Sequence, residues 1–94
     1  MVPRPAWAFL TSHGFVLLEV AQAPDATVRE IAERVGLTER QAHRVLADLV
    51  DAGYLQRQRL GRRNRYRIDE SLPMRHPSVA ARPIGELLAA LRRP

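Results

Sequence analysis

Apolar residues recur at helical spacing over three stretches of the chain and then give way to a two-residue alternation. Thr11 or Ser12 is placed to cap a first helix, which runs to about Gln22 through Phe15, Val16, Leu17, Leu18, Val20 and Ala21. That density of apolar positions predicts a mostly buried helix. Ala23-Pro24-Asp25-Ala26 breaks it. Thr27, with Glu30 three residues on, has the spacing of a capping box. The helix it opens sets Val28, Ile31, Ala32 and Val35 on one face and stops at Gly36, a residue able to take the left-handed closing conformation. The pattern then restarts. Thr38 and Gln41 form a second capping box, and Ala42, Val45, Leu46, Leu49 and Val50 follow at i, i+3, i+4, i+7 and i+8. The opposite face shows Arg40, His43, Arg44, Ala47 and Asp48, and Gly53 closes the element. Two helices joined by a short turn containing Gly make a helix-turn-helix signature.

From Tyr54 the helical period is lost. Tyr54–Leu60 and Asn64–Asp69 predict two strands, the second alternating Arg65 and Arg67 with Tyr66 and Ile68. Gly61-Arg62-Arg63-Asn64 fits the hairpin loop between them. The base of this hairpin is expected to pack on the helices and its tip to project into solvent. Residues 70–83, marked by Pro73, Pro77 and Pro83, read as a linker. Pro83 is suited to the first position of a last helix over 83–93, with Ile84, Leu87, Leu88 and Leu91 at i, i+3, i+4 and i+7 and Arg92 and Arg93 near its C-terminus. About ten residues is too short for a helix to hold alone in water. Its leucine face must therefore dock on the N-terminal segment of its own chain or on a second copy. Met1–Pro5, with two prolines, reads as an irregular arm.

Length and charge sharpen this picture. The 94 residues suit one domain over 1–94, mainly α with a small β-hairpin. A chain this size buries only roughly 60–65% of its unfolded surface, which makes a partner subunit attractive. There are no cysteines, so disulfides, thiolate zinc sites, iron–sulfur clusters and thiol catalysis are excluded together. The apolar runs Ala6–Leu10 and Phe15–Leu18 fall far below the ~20 residues of a membrane span, which predicts a soluble, cytoplasmic protein. All 15 basic residues are arginine, against 10 acids, and the net +5 is carried entirely by Tyr54–Asp69, with six Arg and one Asp. Charge of that density implies a polyanionic partner, the alternative being a solvated basic loop or disordered arm.

Ile31-Ala32 and Val35-Gly36-Leu37 around the turn, Val45-Leu46 and Leu49 in the second helix, Gly53-Tyr54-Leu55 and Gly61-Arg62-Arg63-Asn64-Arg65-Tyr66 together carry a resemblance. From about Thr11 to Asp69 the chain resembles the winged helix-turn-helix domain of bacterial transcriptional regulators, most closely the short single-domain MarR and ArsR types. The resemblance implies a three-helix core (11–69 with the wing hairpin), a C-terminal dimerisation helix, and a homodimer acting on double-stranded DNA. A cleft at the dimer interface would be the place for a small-molecule effector, which nothing in the sequence identifies. ArsR-type metal sensing draws on Cys, His and carboxylates, and the lack of Cys argues against it.

The residues support the same reading on physical grounds. The Thr38–Gln41 turn offers amide donors and a positive dipole end to phosphate. Arg40, Gln41, His43 and Arg44 are long enough to reach base edges in a major groove, Arg toward guanine and Gln toward adenine. Glu39 either accepts from cytosine N4 or simply favours the helix N-terminus. An ordinary solvated face, with Arg44 pairing to Asp48, is the alternative for Arg40 and Arg44. Arg62 and Arg63 at the hairpin tip suit a minor groove. Arg57, Arg59, Arg65 and Arg67 suit phosphates, Asn64 is a tip contact or only a turn former, and Arg67 has Asp69 nearby for a structural pair. Trp7, Phe9 and Phe15 join Ile84, Leu87, Leu88 and Leu91 as the expected dimer interface. His13, His43 and His76 lack metal-ligand spacing, Ser12, His13 and Asp25 lack a nucleophile context, and no phosphate-binding Gly loop exists. No metal, cofactor or enzymatic activity is therefore expected. The rival from another class is a winged-helix module that uses its basic wing on an acidic protein and has no specific DNA site.

Overall fold

The computed structural model describes residues 5–93; residues 1–4, most of the expected Met1–Pro5 arm, lie outside them. Three helices, α1 (Ser12–Gln22), α2 (Val28–Val35) and α3 (Glu39–Asp51), precede a hairpin of β1 (Leu55–Leu60) and β2 (Arg63–Ile68), and α4 (Ile84–Leu91) follows. Each early helix starts where a side chain satisfies its orphan amides. Thr11 caps α1 by accepting from the Gly14 N–H, and Thr27 and Thr38 form complete capping boxes with Glu30 and Gln41. Gly36 ends α2 in the left-handed conformation (φ 86°) that turns the chain into α3. The three helices pack on one another around Val16, Leu17, Val20, Ile31, Ala42, Val45 and Leu46, all buried. Leu55 and Tyr66 carry that core into the base of the hairpin.

Two expectations about the hairpin and the last helix need correction. The loop is two residues, not four: Leu60 pairs with Arg63 and Arg59 with Asn64, so Gly61 and Arg62 alone make the turn. Gly61 has φ 62° and Arg62 does not share a positive φ, the sign pattern of a type II′ turn with Gly first. Asn64 is thus a strand residue rather than a turn former. Pro83 does not begin the helix either. It stands outside as an extended N-cap (ψ 149°), and the first helical amides, Ile84 and Gly85, donate to the carbonyls of Leu72 and Glu70 at 2.7 and 2.9 Å.

Those bonds show that residues 70–83 are not a free linker. The Met74 N–H donates to the Arg82 carbonyl, Pro73 bridges Pro83, and the Tyr54 hydroxyl donates to the Pro73 carbonyl. The segment doubles back and lays α4 against α1, burying Ile84 and Leu88 (8% and 1% exposed) in the same core. Gly85 permits this approach, since a Cβ there would come within 2.8 Å of the Glu70 carbonyl oxygen. At its far end α4 is held by Arg92 on Glu70 (3.3 Å) and by the Arg93 N–H donating to Gln22 Oε1 (3.1 Å). Of the two docking sites open to the leucine face, the chain uses its own helix α1.

Candidate nucleic-acid interface

The buried stripe of α3, Ala42, Val45, Leu46 and Leu49, turns its other face to solvent, and Thr38, Glu39, Arg40, Gln41, His43 and Arg44 are all exposed on it. Among the described residues Arg40, His43 and Arg44 make no ion pair or side-chain hydrogen bond, so their polar groups are available. The Arg44–Asp48 pair that was the alternative to base contact does not form. Asp48 instead accepts from His13 Nε2 at 2.8 Å, because the helix crossing brings the first turn of α1 onto the C-terminal half of α3. Gln41 is less free than its sequence position implies. Its Oε1 accepts from the Thr38 N–H at 2.9 Å, so bidentate adenine recognition would compete with the cap that starts the helix. Glu39 lies 3.9 Å from Arg29 of α2.

The wing arginines fall into two groups. Arg57, Arg62 and Arg67 are exposed and contact no acid among the described residues, and Arg59 donates through Nε to the Gly61 carbonyl across the turn (3.1 Å). The expected Arg67–Asp69 pair does not form, because Asp69 accepts from the hydroxyl and backbone N–H of Ser71. Those bonds, the hydroxyl first, hold the Asp69 carboxyl below its ordinary range. Arg63 and Arg65 are engaged with the helical body: Arg63 lies 3.6 Å from Glu30 and Arg65 3.5 Å from Asp25. Glu30 is pulled below the usual carboxylate range, first by the Thr27 backbone N–H, then by the Thr27 hydroxyl, with Arg34 and Arg63 adding to it. The sequence carried no signal for these partners beyond the acids themselves.

The first turn of α2 ties the two arginine-bearing elements together. Adjacent residues Arg29 and Glu30 reach Glu39 at the start of α3 and Arg63 near the tip of the wing, so both elements lie beside one helix end. Arg29, highly exposed on that turn, belongs to the same surface, although nothing in the sequence pattern singled it out.

The residues expected at a dimer interface separate. Trp7 (71% exposed) and Phe9 (93%) stand in solvent in edge-to-face contact, rings 5.2 Å apart, and Phe15 is half-buried. Ile84 and Leu88 are consumed by the chain's own core, leaving Leu87 half-buried and Leu91 exposed on α4. Between α1, the end of α3 and residues 74–79 runs an open, mainly apolar groove of about 1080 Å³, with Phe9, Leu17, Met74 and Leu87 among its walls and the His13–Asp48 pair at its rim. Among the described residues no group of His, Asp and Glu has the arrangement of a metal site, and no helix is long and apolar enough to cross a membrane.

A buried three-helix core, a helix-turn-helix with an arginine-bearing outer face and a basic two-stranded wing define a winged-helix transcriptional regulator that binds DNA. The family model for the MarR family matches residues 10–65, more than half of the chain, and the chain belongs to that family. That stretch spans α1 through most of the wing and stops short of α4. No curated protein matches the chain.

Proposed function

We propose that this chain is a sequence-specific, cytoplasmic regulator that binds double-stranded DNA as a homodimer. In this reading α3 lies in a major groove with Arg40, His43 and Arg44 toward base edges, and the wing sets Arg57 and Arg62 against the flanking backbone and minor groove. The observation that carries it is that Arg40 and Arg44 on α3 and Arg57, Arg62 and Arg67 on the wing are exposed and pair with no acid among the described residues, on two elements that share one end of α2. Fixed cations without protein partners are poorly explained by stability, since they repel one another, and well explained by phosphate. A dimer suits Trp7, Phe9 and Leu91, large apolar side chains that one copy leaves in water. Two copies would set their α3 helices about 34 Å apart, in successive major grooves. The groove beside His13 and Asp48 is where an effector would sit.

The test is fluorescence anisotropy with random duplex DNA at low salt, followed by selection from a random library. The expected results are salt-sensitive binding to the random duplex and recovery of an inverted repeat. Indifference to duplexes in dilute buffer would overturn the reading and favour an acidic protein partner for the wing. Recovery of a single unrepeated half-site would overturn the dimer.

A further inference from the structure

We infer that the wing arginines have separate duties: Arg63 and Arg65 of β2 tether the wing and fix its angle, while phosphate is met by Arg57 on β1 and Arg62 in the turn. The inference rests on the DNA-binding reading above and assigns Arg63 and Arg65 as positioning residues within it.

Three contacts line the outer edge of β2, spread over four consecutive residues. The buried Tyr66 donates its backbone N–H to the Pro24 carbonyl (3.4 Å), Arg65 lies 3.5 Å from Asp25, and Arg63 lies 3.6 Å from Glu30. The three acceptors belong to the α1–α2 connection and the first turn of α2. Glu30 is itself immobilised there, since its Oε1 accepts from both the N–H and the hydroxyl of Thr27 at 3.0 Å. Among the described residues no acid lies within ion-pair distance of Arg57 or Arg62, one ladder strand and one turn residue away. An isolated two-stranded hairpin is marginal in water, so contacts with the body decide where this one sits.

Charge separates the groups further. Each tether pair is locally neutral, and its carboxylate would repel a phosphate brought to the same guanidinium. A phosphate at Arg63 or Arg65 must displace a carboxylate, whereas one at Arg57 or Arg62 displaces only water and counterions. Exposed pairs of this kind shift an equilibrium by up to about fivefold each, enough to bias a wing between seated and splayed positions without locking it.

The sign of one substitution distinguishes tether from contact. Asp25→Asn leaves every arginine in place. If Arg65 held phosphate, freeing it would tighten DNA binding; if Arg65 positions the wing, affinity falls, by about two- to fivefold. In the whole chain Arg65→Ala should weaken binding with a loss of salt slope well short of that of Arg62→Ala, the residual dependence coming from screening of the exposed Arg65–Asp25 pair, and Arg65→Lys should recover most of the loss. Arg62→Ala should instead lower the slope of log affinity against log salt by about 0.9. The exchanged pair Asp25→Arg with Arg65→Asp should return affinity to within about twofold of wild type. Amide hydrogen exchange on the free protein reads the same tether without DNA: the Tyr66 amide should exchange up to about fivefold faster in Asp25→Asn. Tighter binding by Asp25→Asn, a slope loss in Arg65→Ala equal to that of Arg62→Ala, or unchanged Tyr66 exchange would each overturn the inference. Should the wild-type chain bind no duplex, the functional reading fails, and the exchange measurement alone still decides whether the tether exists.

Discussion

Truncating Leu88 tests whether α4 belongs to its own chain. The side chain is 1% exposed within the core, whereas Leu91, one turn on, is 41% exposed. Full burial of a leucine is worth about 1.5–3 kcal/mol, and Leu→Ala changes cost about 2–5 kcal/mol once the residual cavity is included. An eight-residue terminal helix can move to close part of that cavity, so Leu88→Ala should cost about 2–3 kcal/mol. That is a large share of the ~5–14 kcal/mol available to a domain of this length. Leu91→Ala should change stability by less than about 1 kcal/mol, since much of the side chain is already in water. Urea unfolding read by circular dichroism at several protein concentrations gives both values, and the midpoint loss of Leu88→Ala should not depend on concentration. Equal small losses for the two variants, or a Leu88→Ala loss that grows on dilution together with a dissociating oligomer, would refute docking of α4 on its own α1 and put the leucine face between subunits.

Three further outcomes follow from the same geometry. Arg62→Glu should weaken binding to all duplexes alike and flatten the salt slope by about one unit, whereas Arg44→Ala should cost about 1–3 kcal/mol at particular base pairs, as compared on operator variants. Gly85→Ala should destabilise by about 1–3 kcal/mol in urea melts, because its Cβ would meet the Glu70 backbone oxygen at 2.8 Å. Glu30 and Asp69 both have depressed carboxyl pKa values, so their contribution is complete above the ordinary values of 4.5 and 3.8 and is lost as pH falls through the lowered folded-state values. Glu30→Gln and Asp69→Asn should therefore each reduce the steepness of the acid limb of stability against pH, and an unchanged limb would contradict the assigned hydrogen bonds.

Features encoded within a few neighbouring residues could be read from the sequence. Both capping boxes, the Gly36 stop and the apolar stripe of α3 depend on spacings of three to four residues, and the helices start and end close to where those signals lie. The ends of the hairpin were blurred, because Gly61, Arg62, Arg63 and Asn64 are all compatible with a loop and only the ladder decides which are paired. Contacts that depend on element placement were hidden. The stripe Ile84, Leu87, Leu88 and Leu91 announces a face without an address, and nothing local marks Gly85 as a point of close approach. Asp48 shows the limit of local spacing: its i−4 neighbour Arg44 offers the one partner visible in the sequence, yet His13, thirty-five residues away, takes the carboxylate. The same long reach joins Asp25 and Glu30 to the wing, so the arginines most conspicuous in the sequence are not equivalent in the fold.

The position of α4 has a consequence for biogenesis. Ribosomes deliver the chain in order, so α1, α2, α3 and the hairpin emerge before the segment that covers the back of α1. Until residues 84–88 leave the exit tunnel, the apolar wall they will cover faces water, and the nascent regulator is open to chaperones and proteases. Full rigidity of the DNA-reading apparatus thus arrives only once α4 has followed it off the ribosome.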